Sequence, residues 1–107
     1  MINKLLIKHV TGRMLLNTAA EELAFTHETA GEQWRFTVQG VPAETGKMIC
    51  SYEDELNLFY MQENAEGQQF NKCWYYGKQT PEVIYDEAAR LLSIQLDSRK
   101  FYTNERV

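Results

Sequence analysis

The sequence contains few of the residues on which catalytic and metal sites depend. Its 107 residues include two histidines and two cysteines, and serine is scarce. The residues weighed for these roles are His9, His27, Cys50, Cys73, Ser51, Ser93 and Ser98. No serine lies in the G-x-S-x-G turn of a hydrolase nucleophile, and neither histidine has a metal-ligand spacing to another candidate. We therefore predict that the protein is not an enzyme and has no catalytic, cofactor-binding or metal-binding residues.

A phosphate-binding loop is also missing, and its nearest approximation is residues 40–47. Such a loop needs four residues between its glycines and a Ser or Thr after the Lys. Here five residues separate Gly40 from Gly46, and Met48 follows Lys47. We interpret this stretch as a loop between strands.

The amino terminus lacks a long hydrophobic run. Residues 5–7 are apolar, but Lys8 and His9 end the run, which is too short for a signal peptide or a membrane span. We expect a cytoplasmic protein without a membrane segment. In that compartment Cys50 and Cys73 are predicted to be reduced, mostly buried thiols.

A concentrated basic region is absent from the sequence. The 11 basic residues are outnumbered by 15 acidic ones, which gives a formal charge of −4, and Arg99-Lys100 is the one adjacent basic pair. Nucleic-acid binding through phosphates needs a basic surface, so we expect no nucleic-acid partner. An acidic surface suits solubility or a basic protein partner. The partner we expect is an unidentified protein, with a second copy of the chain as one possibility.

What the sequence does contain is a series of short alternating segments separated by glycine and proline. This pattern is typical of antiparallel all-β domains, and the length fits one domain over residues 1–107. We predict a small antiparallel β-barrel or half-barrel of seven or eight strands. The clearest predicted strand is residues 33–39. Further strands are predicted at residues 13–17, 48–52, 55–61, 68–76, 82–85, 91–96 and 100–103, with hairpins at 52–56 and 85–91.

The first 25 residues allow two interpretations. Residues 2–8 fit a first strand or a short amino-terminal helix that acts as a lid. The spacing of Thr18 and Glu21 fits a capping box, whereas the alternation after residue 22 fits a strand. We favour a turn or a single helical turn over residues 18–22, followed by a strand.

Aromatic residues concentrate in the predicted strands, and alternation assigns them to faces. The segment 33–39 places Trp34 on the core face with Phe36 and Val38, and the segment 55–61 places Tyr60 with Leu56 and Leu58. In the segment 68–76, Trp74 and Tyr76 are predicted to face the core, which leaves Tyr75 outward.

These aromatic residues have three possible roles: they fill the core, line a ligand cavity or contact a partner. The candidate site residues are Tyr75 as an outward contact, with Tyr60, Trp74 and Tyr76 as inward positions that a bound ligand would touch.

Two segments carry a resemblance to a known family. Residues 12–16, Gly-Arg-Met-Leu-Leu, and the closing segments 83–87, 91–94 and 100–102 resemble small uncharacterised bacterial lipocalin-like β-barrel proteins, some of them carried on conjugative transposons. Met14 stands where such proteins usually have Trp. The resemblance implies a lipocalin-like barrel and no established functional residues. We expect a non-catalytic binding module acting through protein contacts, such as an accessory protein of a bacterial mobile element. The alternative is a carrier that binds an apolar small molecule inside the barrel.

Overall fold

The computed structural model describes residues 2–79 and 81–102, which form strands and one helix. Every strand pairing is antiparallel. The elements in chain order are β1 Ile2–His9, β2 Met14–Asn17, β3 Phe25–Ala30, β4 Gln33–Gln39, α1 Ala43–Ser51, β5 Leu56–Glu63, β6 Gln69–Tyr76, β7 Glu82–Asp86, β8 Leu91–Leu96 and β9 Ser98–Phe101. No helix of the described residues has the length and apolar character that a membrane span needs.

The strands form two sheets that pack face to face. A five-stranded sheet has the order β2-β1-β5-β6-β9, and a four-stranded sheet has the order β3-β4-β8-β7. The prediction of a mainly β, antiparallel architecture is confirmed. The sheets are not closed into a barrel, and the described residues contain nine strands rather than seven or eight.

The core lies between the two sheets and is filled by large apolar side chains. Both sheets contribute residues with no exposed surface, including Leu5 and Ile7 from β1 and Phe36 and Val38 from β4. Burying one such side chain is worth about 1.5–3 kcal/mol. The Phe36 ring meets the Tyr75 ring of β6 edge to face, with centroids 4.8 Å apart, so aromatic contacts join the two layers.

The helix α1 replaces a predicted loop and strand, and both of those predictions are wrong. Pro42 is its N-cap residue, in extended backbone, a position where the missing amide hydrogen costs nothing. Gly46 and Ile49 are buried on one side of the helix, one turn apart. A Cβ on Gly46 would lie 2.5 Å from the Tyr85 ring. A glycine that signals a loop in the sequence therefore allows close packing of α1 on β7.

Two joints that look alike in the sequence fold differently. The segment 85–91 is the predicted hairpin, joining β7 to β8. The segment 52–56 is instead the exit of α1 into β5, where Glu55 N–H donates to the Tyr52 carbonyl at 2.7 Å. The predicted hairpin at 52–56 is wrong because the element before it is helical.

The amino-terminal region is a strand and not a helical lid. The segment 2–9 pairs with β5 along its whole length, and residues 18–22 form the predicted turn. Thr18 is buried there, and its Oγ1 accepts the Leu5 backbone N–H at 3.0 Å. Its hydroxyl therefore satisfies a strand amide instead of capping a helix. The strand predicted over residues 100–103 overlaps the end of β9, and Thr103 lies outside the described residues.

The predicted facing of β6 is reversed. Tyr75 is 3% exposed and faces the core, whereas Trp74 and Tyr76 lie on the outer face of the sheet. The cause is an irregularity in the pairing of β5 with β6 between Tyr60 and Gln62, opposite Asn71, whose φ is +53°. An extra residue in one strand moves the following side chains to the other face.

Candidate functional site

The outer face of the five-stranded sheet carries aromatic rings surrounded by lysines. Strand pairing aligns Leu6, Phe59, Trp74 and Lys100 across four neighbouring strands, and a parallel row aligns Lys8, Asn57, Tyr76 and Ser98. We call this surface the lysine–aromatic face. Its defining residues are Lys8, Phe59, Lys72, Trp74, Tyr76, Lys100 and Tyr102.

Its aromatic rings are fixed by contacts with each other and with the sheet. The Trp74 and Tyr76 rings lie 4.3 Å apart at an interplanar angle of 30°. Trp74 Nε1–H donates to Asn57 Oδ1 at 2.9 Å, so the polar edge of the indole is satisfied. Phe59, Trp74 and Tyr76 are all half-buried, and each keeps part of its surface open to a partner.

The lysines of this face lie over aromatic rings. The Nζ atoms of Lys8 and Lys72 lie 5.6 and 5.3 Å from the Phe59 ring centroid, and Lys72 Nζ lies 4.8 Å from that of Tyr102. Such cation–π contacts are weak at exposed sites, about 0.5–1 kcal/mol each. Within residues 2–79 and 81–102, none of Lys8, Lys72 and Lys100 forms an ion pair. The positive charge of the face is therefore available to an anion.

The outer face of the four-stranded sheet has the opposite character. Arg35 donates to Glu28 Oε2 at 2.6 Å and to Gln95 Oε1 at 3.3 Å, and Gln95 in turn donates to Gln33 at 2.7 Å. These polar side chains satisfy one another. The edge strand β7 adds the exposed acids Glu82 and Asp86.

The four predicted site residues lie on opposite sides of the five-stranded sheet, two on its outer face and two on its inward face. Trp74 and Tyr76 lie together on the lysine–aromatic face, whereas Tyr60 and Tyr75 lie on the inward face. The Tyr60 ring packs 4.6 Å from that of His27, and its hydroxyl donates to Asn3 Oδ1 at 3.3 Å. The outward contact predicted for Tyr75 is wrong.

Tyr75 is held between the sheets by neighbouring rings and by Arg99. The Trp34 ring centroid lies 5.8 Å from it, and Arg99 Nη1 lies 3.5 Å from its hydroxyl oxygen. Burial raises the pKa of the Tyr75 phenol above its ordinary value, and the hydrogen bond to Arg99 lowers it by less. Trp34 shares the core side with Phe36, as predicted, and is partly buried.

The lysines of the face were missed as site residues by sequence reasoning. Lys8 and Lys72 do occupy the outward positions of alternating strands. No local signal shows, however, that β1 flanks β5 on the side opposite β6, because the pairing of β1 with β5 joins segments about fifty residues apart.

A second polar cluster surrounds His9. Its Nε2 lies 2.6 Å from Glu55 Oε1, and its Nδ1 lies 2.8 Å from Thr11 Oγ1 and accepts the Thr11 backbone N–H at 3.2 Å. The Tyr52 ring meets the imidazole edge to face at 4.6 Å. Both ring nitrogens are engaged, so the cluster ties the β1–β2 turn to the start of β5.

The two cysteines are free thiols, as predicted. Burial raises the pKa of the Cys50 thiol, with a further contribution from the Glu53 carboxylate, and burial also raises the pKa of Cys73. Raised thiol pKa values disfavour the reactive thiolate. Among the described residues no group of His, Cys, Asp and Glu side chains is arranged to hold a metal ion.

Comparison of the chain with protein-family models, with curated proteins and with solved structures found no match. The lipocalin-like resemblance and the link to mobile elements therefore stay predictions. Any functional assignment depends on the geometry of the two sheet faces and of the interior between them.

Proposed function

We propose that the chain is a non-catalytic binding module and that the lysine–aromatic face is its contact surface. One observation carries this proposal: Phe59, Trp74 and Tyr76 lie side by side on the outer face of a sheet whose other face already forms the core. Tyr and Trp are the residues that most often dominate binding energy at interfaces. Rings at outward positions contribute less to the core than inward ones and have surface left for a partner.

The positive charge of the lysine–aromatic face favours a negatively charged partner. Lys8, Lys72 and Lys100 surround the rings. Glu63 lies on the same outer face at the far end of β5, where it pairs with Lys4 at 3.8 Å, and further exposed acids lie on β7. A negatively charged partner would be attracted to this side of the molecule and repelled by the opposite side, which speeds association and fixes orientation. A protein partner at this face would present an acidic segment, whereas the net charge of the sequence led us to expect a basic protein partner.

The alternative, a carrier for an apolar small molecule, has less support. Side chains without exposed surface fill the space between the sheets, and the inward candidates Tyr60 and Tyr75 contact other rings. A surface cleft of about 290 Å³ is polar and lies outside the core. Its lining residues are Glu32, Gln33, Lys78, Gln79, Asp97 and Ser98.

The test is a charge reversal on each outer face. Fluorescently labelled poly-L-glutamate serves as the anionic probe, and its binding is measured by polarisation at low salt. Lys72→Glu should weaken binding about tenfold or more, because it replaces an attractive charge with a repulsive one. Arg35→Glu changes the net charge equally and should leave the affinity within about twofold of wild type.

An equal loss of poly-L-glutamate affinity in Lys72→Glu and Arg35→Glu would contradict the proposal, because binding would then depend on the net charge of the protein and not on the lysine–aromatic face.

Uptake of an apolar dye is the matching test of the carrier alternative. Stoichiometric uptake by the native chain that responds to Tyr60→Ala, but not to Tyr76→Ala, would favour a ligand in the interior.

A further inference from the structure

We infer that the anionic partner of the lysine–aromatic face is a single strand of nucleic acid. The inference rests on the proposed function, since it names the occupant of the same surface. It departs from the expectation drawn from the sequence, which relied on the scatter of basic residues along the chain. Folding gathers Lys8, Lys72 and Lys100 around one aromatic cluster, although they are far apart in sequence.

The rings are of the kind on which unpaired bases stack, and they lie close together. Phe59 and Trp74 are direct cross-strand partners, and Tyr76 lies beside Trp74 on the same strand. Aromatic side chains on the outer face of a sheet stack two or three bases in known RNA-binding modules, and each stacked base is worth a substantial part of the affinity. The row from Leu6 to Lys100 crosses four strands and is about 14 Å wide, which suits a few nucleotides.

The lysines have the positions that a phosphate backbone requires. Lys8 lies on β1, Lys72 on β6 and Lys100 on β9, so positive charge borders the rings on both sides of β5. The Nζ atoms of Lys8 and Lys72 now lie near the Phe59 ring, and flexible lysine side chains can move from a ring to a phosphate when a base takes their place.

A single strand fits these groups better than an acidic protein segment or a duplex. Asp and Glu side chains would neutralise the lysines but would bring no flat ring to Trp74 and Tyr76. The bases of a duplex are already stacked on each other and leave the rings without partners. A single strand supplies charge and free base faces together.

The experiment compares three anionic probes on the full chain by fluorescence polarisation. The probes are an oligothymidylate of about ten nucleotides, an abasic oligomer of the same length, and poly-L-glutamate. The oligothymidylate should bind at least about fivefold more tightly than the abasic oligomer, since stacking contributes only to the former. Its affinity should fall with salt with a log–log slope of about −2, as expected for three phosphate contacts.

Four variants locate the binding. Trp74→Leu should weaken oligothymidylate binding roughly 5- to 150-fold and leave the abasic oligomer nearly unaffected, whereas Trp74→Phe should keep most of the affinity. Lys72→Gln should reduce the salt slope by about 0.7. Arg35→Gln on the opposite face should change neither quantity. Thermal melting of each variant confirms that it is folded.

The outcomes separate the inference from the proposed function. If all three probes bind equally and Trp74→Leu is silent, the nucleic-acid inference is wrong, but an anion-binding face remains. If poly-L-glutamate alone binds, the partner is an acidic protein segment. If no probe binds, or if Arg35→Gln weakens binding as much as Lys72→Gln, both the inference and the proposed function are wrong.

Discussion

The two outer faces of this sandwich are built on strands that share one core, yet they differ in how their side chains are satisfied. On the four-stranded sheet, Arg35 donates hydrogen bonds to both Glu28 and Gln95. On the five-stranded sheet, Lys72 and Trp74 lie among aromatic rings, and Lys72 has no ion pair within the described residues. A face whose groups satisfy each other is suited to contact with water. A face with unneutralised lysines and partly exposed rings is suited to a partner.

The contrast between the two faces depends first on which side of the sheet each residue of β6 faces. Truncating the adjacent residues Tyr75 and Tyr76 tests this, and it should give the largest change in the free energy of unfolding. Tyr75→Ala should destabilise the protein by about 3–5 kcal/mol, as truncation of a buried aromatic residue does. Tyr76→Ala should cost about 1 kcal/mol or less, the usual range for positions outside the core. Urea unfolding of both variants gives the two values. A larger loss for Tyr76→Ala would reverse the facing of the strand.

The buried side of the same strand should also respond to alkaline pH. Burial raises the pKa of Tyr75 and of Cys73, so the unfolded chain releases these protons at lower pH than the folded chain does. Their contribution to stability is complete below the ordinary pKa values, about 9 for the thiol and 10 for the phenol. It is lost as the pH rises through the raised values.

The measurement for this prediction is urea unfolding at a series of pH values between about 7 and 11. The wild type should lose stability above about pH 9. The double variant with Tyr75→Phe and Cys73→Ala should lose less over the same interval, because both titrating groups are gone. An identical alkaline decline in the two proteins would mean that these groups do not titrate differently in the folded chain.

The polar face should give the smallest effect. The Arg35–Glu28 pair is substantially exposed, with side-chain exposures of 40% and 59%, so its coupling energy should lie between about 0.2 and 1 kcal/mol. A double-mutant cycle with Arg35→Ala and Glu28→Ala measures it. A coupling well above this range would show that the polar face is a rigid structural network, and the contrast between the faces would need a different explanation.

Much of the fold could be predicted from turn residues and from the alternation of apolar and polar residues, because the positions of the apolar residues in a strand show which side of it is buried. The segments 33–39 and 91–96 match β4 and β8 as predicted. Apolar and polar residues alternate through the whole of the first segment and from Leu92 onward in the second. The helix α1 was missed because Pro42 and Gly46 indicate a loop. The buried side of α1 is set by contact with Tyr85, which lies about forty residues away.

The candidate site could be predicted only in part. The aromatic residues themselves were evident from the sequence. Which side of the sheet they face depends on the pairing irregularity opposite Asn71, because the extra residue moves each later side chain of β6 to the other face. The lysines belong to the site because β1 and β6 both flank β5, and strand adjacency is a property of the whole fold. The formal charge of −4 does not show that Lys8, Lys72 and Lys100 lie on one face, because their placement together depends on strand adjacency.

The most direct test of the account is amide chemical-shift mapping of the full chain with a saturating single-stranded oligonucleotide. We predict that the shifts that change will belong to β1, β5, β6 and β9, with the largest changes around Phe59, Trp74 and Tyr76. The amides of β4, β7 and β8 should keep their positions. Changes centred on Arg35 and Glu82, or confined to the interior around Tyr60, would contradict the assignment of the contact surface to the lysine–aromatic face.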